Sequence, residues 1–162
     1  MRKTVREVAT LTEDQGYVLN QDWLEKHGWV AVPVEDAGHL TEEQIDRIVD
    51  ALMSAGQNSS LALNFLDLPD SLPESYELRI STDDFSAFNA ECGIFRFLLT
   101  SPELSWAISC NEWFNIFAGP VALVEQMLGK SMHRARGEFL DYAKLVEQGS
   151  EGNLVQIARM YS

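Results

Sequence analysis

Residues 94–118 read IFRFLLTSPELSWAISCNEWFNIFA, and this stretch decides the fold. Ile94–Thr100 and Leu104–Cys110 are apolar runs of strand length, joined at Ser101-Pro102-Glu103, a turn composition. Asn111-Glu112 makes a second break, and Phe114–Ala118 follows as a third run. Links this short suit antiparallel neighbours, because a parallel pair needs a crossover of about a dozen residues or more.

Working upstream, Tyr76, Leu78 and Ile80 alternate with Glu77, Arg79 and Ser81. That period of two marks a strand with one wet face. Ser60–Leu66 reads as a strand and Asp67–Pro73 as a loop. Trp29–Val34 reads as a further strand. Pro33 lacks an N–H, so this strand lies at a sheet edge or its pairing stops there.

Helical signals separate these runs. Thr41-Glu42-Glu43-Gln44 is a capping box. Ile45, Ile48, Val49, Leu52 and Met53 then form one apolar stripe, and Gly56 ends it. Asn20 is placed to cap a short helix through Trp23 and Leu24, stopped by Gly28. Thr82 or Asp83 is expected to cap a helix with Phe85, Phe88 and Cys92 inward. Gly119-Pro120 sets proline at the first position of a helix that closes at Gly129. Ser131 opens another, with Met132, Ala135, Phe139, Tyr142 and Val146 on one side. Residues 1–20 mix Val5, Val8 and Leu11 at helical spacing with Thr4, Thr10 and Thr12, and fit no single period. The segment 153–161 fits a helix or a strand equally. The expected fold is α+β, a largely antiparallel sheet of five or six strands with helices packed against it, in a single domain over residues 1–162.

The chain of 162 residues, 46% hydrophobic and 10% aromatic, has enough apolar material for one core without disulfides or metals. No apolar stretch approaches the roughly 20 residues that span a bilayer. The first residues, MRKTVREVATLTEDQ, lack the apolar segment of a secretory signal. Cys92 and Cys110 both sit in apolar patterns, as buried free thiols do in a reducing compartment. The expectation is a cytoplasmic protein.

Charge is uneven along the chain. The net charge is −13 at pH 7. Residues 35–112 hold three basic residues (Arg47, Arg79, Arg96) and fifteen acidic ones, whereas residues 113–162 hold five of each. Such a field repels nucleic acid and anionic membrane and attracts a basic partner.

Catalytic and cofactor motifs are missing from the sequence. It has no G-x-G-x-x-G, phosphate-binding loop, G-x-S-x-G, H-E-x-x-H or EF-hand loop. Cys92 and Cys110 lack the close spacing that presents two sulfurs to one zinc, and His27, His39 and His133 are scattered. No cofactor and no metal are expected. Asp83-Asp84 is read as a helix N-terminal pair favoured by the dipole rather than as an acid–base site. His39 beside Glu42 and Glu43 is read as a loop histidine. His133-Arg134-Ala135-Arg136 is a small basic cluster that would hold a phosphate or pair with surface acids. Trp106, Trp113, Phe114 and Phe117 crowd one region, and Trp113 at the turn is the expected outlier from the core.

The leading expectation is an acidic, non-catalytic binding protein that neutralises a basic protein, in the manner of an immunity protein, antitoxin or nuclease inhibitor. The candidate surface is the Glu42, Glu43, Asp46 and Asp50 helix face, with Asp67, Asp70, Glu74, Asp83 and Asp84 as neighbours and Trp113 as an aromatic anchor. A second class is a small enzyme or ligand-binding domain with a dispersed site, for which His39, Asp84, Glu112 and His133 are the first residues to test. A deep pocket with convergent polar groups would mark it. A third is a structural or oligomeric subunit, which a contiguous apolar surface would mark.

Overall fold

The 94–118 run supplies three neighbouring strands of a six-stranded antiparallel sheet. A computed structural model describes residues 6–12, 16–35, 40–64, 75–92, 96–147 and 154–162. In chain order the elements are β1 (Ala9–Thr12), β2 (Gly16–Leu19), α1 (Gln21–His27), β3 (Val30–Glu35), α2 (Glu42–Ser54), β4 (Ser59–Asn64), β5 (Ser75–Arg79), α3 (Thr82–Cys92), β6 (Phe97–Thr100), β7 (Ala107–Cys110), β8 (Phe114–Gly119), α4 (Val121–Leu128), α5 (Met132–Glu147) and α6 (Leu154–Met160). The sheet order is β3-β8-β7-β6-β4-β5, and β1 with β2 forms a separate hairpin.

The central strands are buried along their whole length, on both faces. Alternation along each strand sends Phe97, Leu99, Ile108 and Phe117 to one face. Leu98, Ala107, Phe114 and Ile116 go to the other. The first face packs under α2, α3 and α4 through Ile48, Leu52, Phe85, Phe88 and Val124. The second packs under the β1–β2 hairpin, α1, α5 and α6 through Leu19, Trp23, Phe139 and Ile157. Two covered faces explain why 94–118 reads as almost unbroken apolar sequence, while the edge strand β5 keeps its alternation. Trp106, Phe114 and Phe117 are all buried, and Trp113 is the exposed exception.

β3 is an edge strand, as Pro33 requires. The Ala31 carbonyl turns outward and accepts from Arg136 Nη2 at 3.0 Å, so Pro33, two residues on, directs its missing N–H to the same open side. At the other edge, Arg79 N–H is taken by Asp84 Oδ2 at 2.9 Å and the Arg79 carbonyl by Ser81 N–H at 2.9 Å. Both edges are thus partly closed by groups of the chain itself.

Several local expectations are corrected. Residues 9–12 and 16–19 are strands, because Thr10 and Val18 suit a hairpin whose Ala9, Val18 and Leu19 enter the second core. Asn20 precedes α1 but does not cap it; its side-chain N–H groups donate to the Arg6 and Glu7 carbonyls, both at 2.9 Å, and hold the hairpin instead. Met53 is exposed, and Ala51 is buried in its place. α3 is capped by Ser81, whose Oγ accepts from Asp84 N–H at 3.1 Å, rather than by Thr82 or Asp83. Pro120 sits at the N-cap of α4, one residue before the expected position. The 153–161 ambiguity resolves as the helix α6. Cys110 is a buried thiol outside any disulfide, and the side chain of Cys92 lies outside the described residues.

The N-terminal hairpin and the residue after α6 meet in the second core. Tyr161, 3% exposed, donates its hydroxyl to the Leu19 carbonyl at 2.7 Å. Burial holds this phenol in its neutral form by raising its pKa. Tyr161→Phe leaves that carbonyl without its donor and is expected to cost about 1–3 kcal/mol. Urea unfolding followed by circular dichroism checks this; an unchanged midpoint would mean that the bond contributes nothing net.

Candidate functional site

The acidic surface is built on α2 and α3. At the start of α2, Thr41 Oγ1 accepts from Gln44 N–H at 3.2 Å, and Gln44 Oε1 accepts from Thr41 N–H at 2.8 Å. This capping box fixes the helix phase. Ile45, Ile48, Val49 and Leu52 face the core, and Glu42, Glu43, Asp46 and Asp50 are exposed. On α3, Phe85 and Phe88 face inward, and Asp83 and Glu91 are exposed.

Three hydrogen bonds join the two helices. Leu40 N–H donates to Asn89 Oδ1 at 3.1 Å, and Asn89 Nδ2 donates to the Leu40 carbonyl at 2.9 Å. Thr82 Oγ1 donates to Asp46 Oδ1 at 3.3 Å. The entry to α2 therefore lies beside the end of α3, and the second turn of α2 beside the start of α3. This antiparallel contact brings Asp46 next to the first turn of α3, where Asp83 sits. Together α2 and α3 carry seven carboxylates and one basic residue, Arg47.

Two of the seven are already paired. Glu43 receives Arg47 Nη1 at 2.5 Å. Asp84 receives the Arg79 guanidinium at 3.0 and 3.3 Å and the Arg79 backbone N–H. These bonds hold the Asp84 carboxyl below the usual carboxylate range. Glu42, Asp50 and Glu91 have no cationic partner among the described residues, whereas Asp83 feels the charge of Arg79 without a direct ion pair.

The remaining expected residues fall elsewhere. Asp67, Asp70, Glu74 and His39 lie outside the described residues. Trp113 is 44% exposed on the β7–β8 turn, but its carbonyl accepts from Tyr142 on α5 at 3.0 Å. It is tied to the layer opposite α2 and α3. Glu77 projects from β5 on the face away from Leu78, and Glu103 and Glu112 are exposed on the turns flanking β7. The excess between residues 35 and 112 thus gathers on α2 and α3 only in part.

The basic cluster at 133–136 separates on folding. Arg134 pairs with Glu138 at 2.8 Å, while Arg136 turns to the Ala31 carbonyl. Partial burial pushes the Arg136 guanidinium pKa down. His27 stacks on Trp29 with ring centroids 4.2 Å apart, and His133 is exposed on α5. Among the described residues, no group of three or more His, Cys, Asp or Glu side chains converges to hold a metal ion. No described helix is long and apolar enough to cross a membrane.

Sequence reasoning missed a cleft of about 330 Å³. It opens where the start of α2, the end of β3 and the α4–α5 corner meet. Val34, Phe117, Met127, Leu128 and Ala135 give it apolar walls. Glu35, Arg47, Lys130 and Glu138 add charges of both signs. Arg47 reaches it because residue 129 is glycine. A Cβ at position 129 would lie 2.9 Å from Arg47 Cδ, and the left-handed φ of +69° disfavours other residues as well. Asp84, Glu112 and His133, the dispersed candidates, do not line this cleft.

The chain matches no known family model, no curated protein and no solved structure.

Because the folded Asp84 pKa is depressed, its contribution to stability is complete above the ordinary aspartate value of 3.8. It is lost as the pH falls through the lower folded value. Wild type should therefore exceed Asp84→Asn in urea midpoint near neutral pH, and the gap should close as the solution is taken to about pH 2. A gap that stays constant over that range would rule out the ionised Asp84–Arg79 contact as its source.

Proposed function

We infer that this chain is a non-catalytic, acidic binding protein of the cytoplasm that neutralises a basic protein, as immunity proteins, antitoxins and nuclease inhibitors do. The observation that carries this reading is the paired α2–α3 layer, with seven carboxylates against one basic residue of its own, Arg47, and Arg79 from the neighbouring β5. A basic cleft that normally holds phosphates would meet carboxylates in their place. Long-range attraction would raise the association rate and exclude acidic competitors. The exposed groups that do this are Glu42, Asp46, Asp50, Asp83 and Glu91. Glu43 and Asp84 contribute less, because each already has an arginine.

The helices also suit the task mechanically. Their inward faces are fixed in the first core, so the carboxylates sit on regular elements. Little ordering remains to be done on docking, which favours a fast, selective complex.

The test is capture from a native extract. Wild type should retain one basic protein at low salt and lose it progressively toward about 1 M salt, where the Debye length is about 3 Å. The double reversal Asp46→Lys with Asp50→Lys should slow association at least tenfold by order of magnitude, with the far-ultraviolet circular dichroism unchanged. Capture indifferent to salt and to the reversal would exclude this face as the docking surface.

A further inference from the structure

We propose that the outer edge of β5 takes up an extended, cationic segment of the basic partner as an added strand. This rests on the reading above for the partner and adds how that partner docks.

Hydrogen-bond phase decides which groups of β5 face outward. β5 pairs with β4 alone in the sheet, so its other side is an edge. Ile80 N–H donates to the Asn58 carbonyl just beyond that ladder and in the same register. Bonded and non-bonded residue pairs alternate along antiparallel strands. Counting back from Ile80, Leu78 and Tyr76 turn their backbone groups to β4, whereas Arg79, Glu77 and Ser75 turn theirs outward. Arg79 agrees with this phase, since its N–H goes to Asp84 and its carbonyl to Ser81. Ser75 and Glu77 have no such partners among the described residues. Each presents one N–H and one carbonyl along the edge, at the spacing to which an extended chain adds.

The opposite edge of the sheet offers no such template. Pro33 lacks an N–H, Arg136 occupies the Ala31 carbonyl, and α5 packs against β3.

Charge beside the β5 edge selects the occupant. On one face of the sheet Glu77 is exposed. On the other face Phe88 of α3 meets Tyr76 of β5, with ring centroids 5.4 Å apart. Asp84 lies four residues before Phe88 and Glu91 three after it, so both belong to the flank of α3 that borders β5. Asp84 is already clamped on Arg79. Glu77 and Glu91 have no cationic partner among the described residues. A strand added at Ser75 and Glu77 would therefore run between carboxylates on both faces. A second copy joined β5 to β5 would bring these same acids together, and like charges across a strand pair are unfavourable. Lysine or arginine side chains on the added strand would meet them instead. Backbone bonds would then supply affinity, and the flanking acids would choose a basic segment over others.

The experiment uses the full chain and a blocked seven-residue peptide of alternating lysine and valine. Binding is followed by calorimetry and by amide hydrogen exchange. The peptide should bind at low salt and slow exchange of the Glu77 N–H about tenfold or more. The same peptide N-methylated at every residue keeps its charge but cannot donate, and should bind about tenfold more weakly or worse. Ser75→Pro removes one outward donor at a strand start, where proline is tolerated, and should weaken the unmodified peptide similarly. Should Ser75→Pro fail to fold, exchange at Glu77 in the wild type decides alone. No binding at millimolar concentration overturns the proposal, as does equal binding of the N-methylated peptide. Binding that leaves Glu77 exchange unchanged but yields to Asp46→Lys with Asp50→Lys overturns the edge and leaves the carboxylate layer standing. Salt-indifferent capture from the extract, with the peptide results as expected, would remove the layer and not the edge.

Discussion

Burial of the sheet on both faces is the constraint from which the rest of this molecule follows. Ile108 and Phe117 need cover on one side, and Phe114 and Ile116 on the other. Each buried side chain of this size contributes about 1.5–3 kcal/mol relative to exposure. A single layer of helices would leave half of that contribution unclaimed. The chain therefore sends α2, α3 and α4 to one face and returns α5, α6 and the N-terminal hairpin to the other. Tyr161 and Leu19 close this second cover by joining its two ends.

With both faces occupied, charge is confined to the outer surfaces of the helices, the turns and the strand edges. α2 and α3 receive mostly acids, and α5 receives a balanced set with Arg134, Lys144, Glu138 and Asp141. The sidedness of the charge is thus a consequence of which helices cover which face. The cleft has a different origin. It is the gap left where α2 and the α4–α5 corner meet the end of an edge strand, so charged side chains from both layers can reach it.

Much of the fold was legible in the sequence because its signals are local. The capping box at Thr41, the alternation at residues 76–81, the break at Gly119-Pro120 and the edge position of Pro33 each depend on near neighbours. The N-terminal hairpin was not legible, since its short strands are stabilised by α1 and by the side chain of Asn20. Met53 followed the apolar stripe but lies on its exposed flank, because the buried face of α2 is turned toward Ala51 instead. Half of the candidate site was also readable: the phase of α2 follows from its period. The pairing of Asp46 with Thr82 and the clamp of Arg79 on Asp84 were not, because they depend on how helices and strand ends meet. Glu35, Arg47 and Lys130 gave no motif at all, as they come from three separate segments.

The central claim is that the α2–α3 carboxylates touch a basic partner directly. Zero-length coupling of carboxylates to lysine amines in a native extract, read by mass spectrometry, addresses it most directly. The account predicts cross-links concentrated within residues 42–54 and 82–92, all to lysines of one basic protein. Cross-links spread evenly over the acids of the chain, or concentrated on α5, would contradict it.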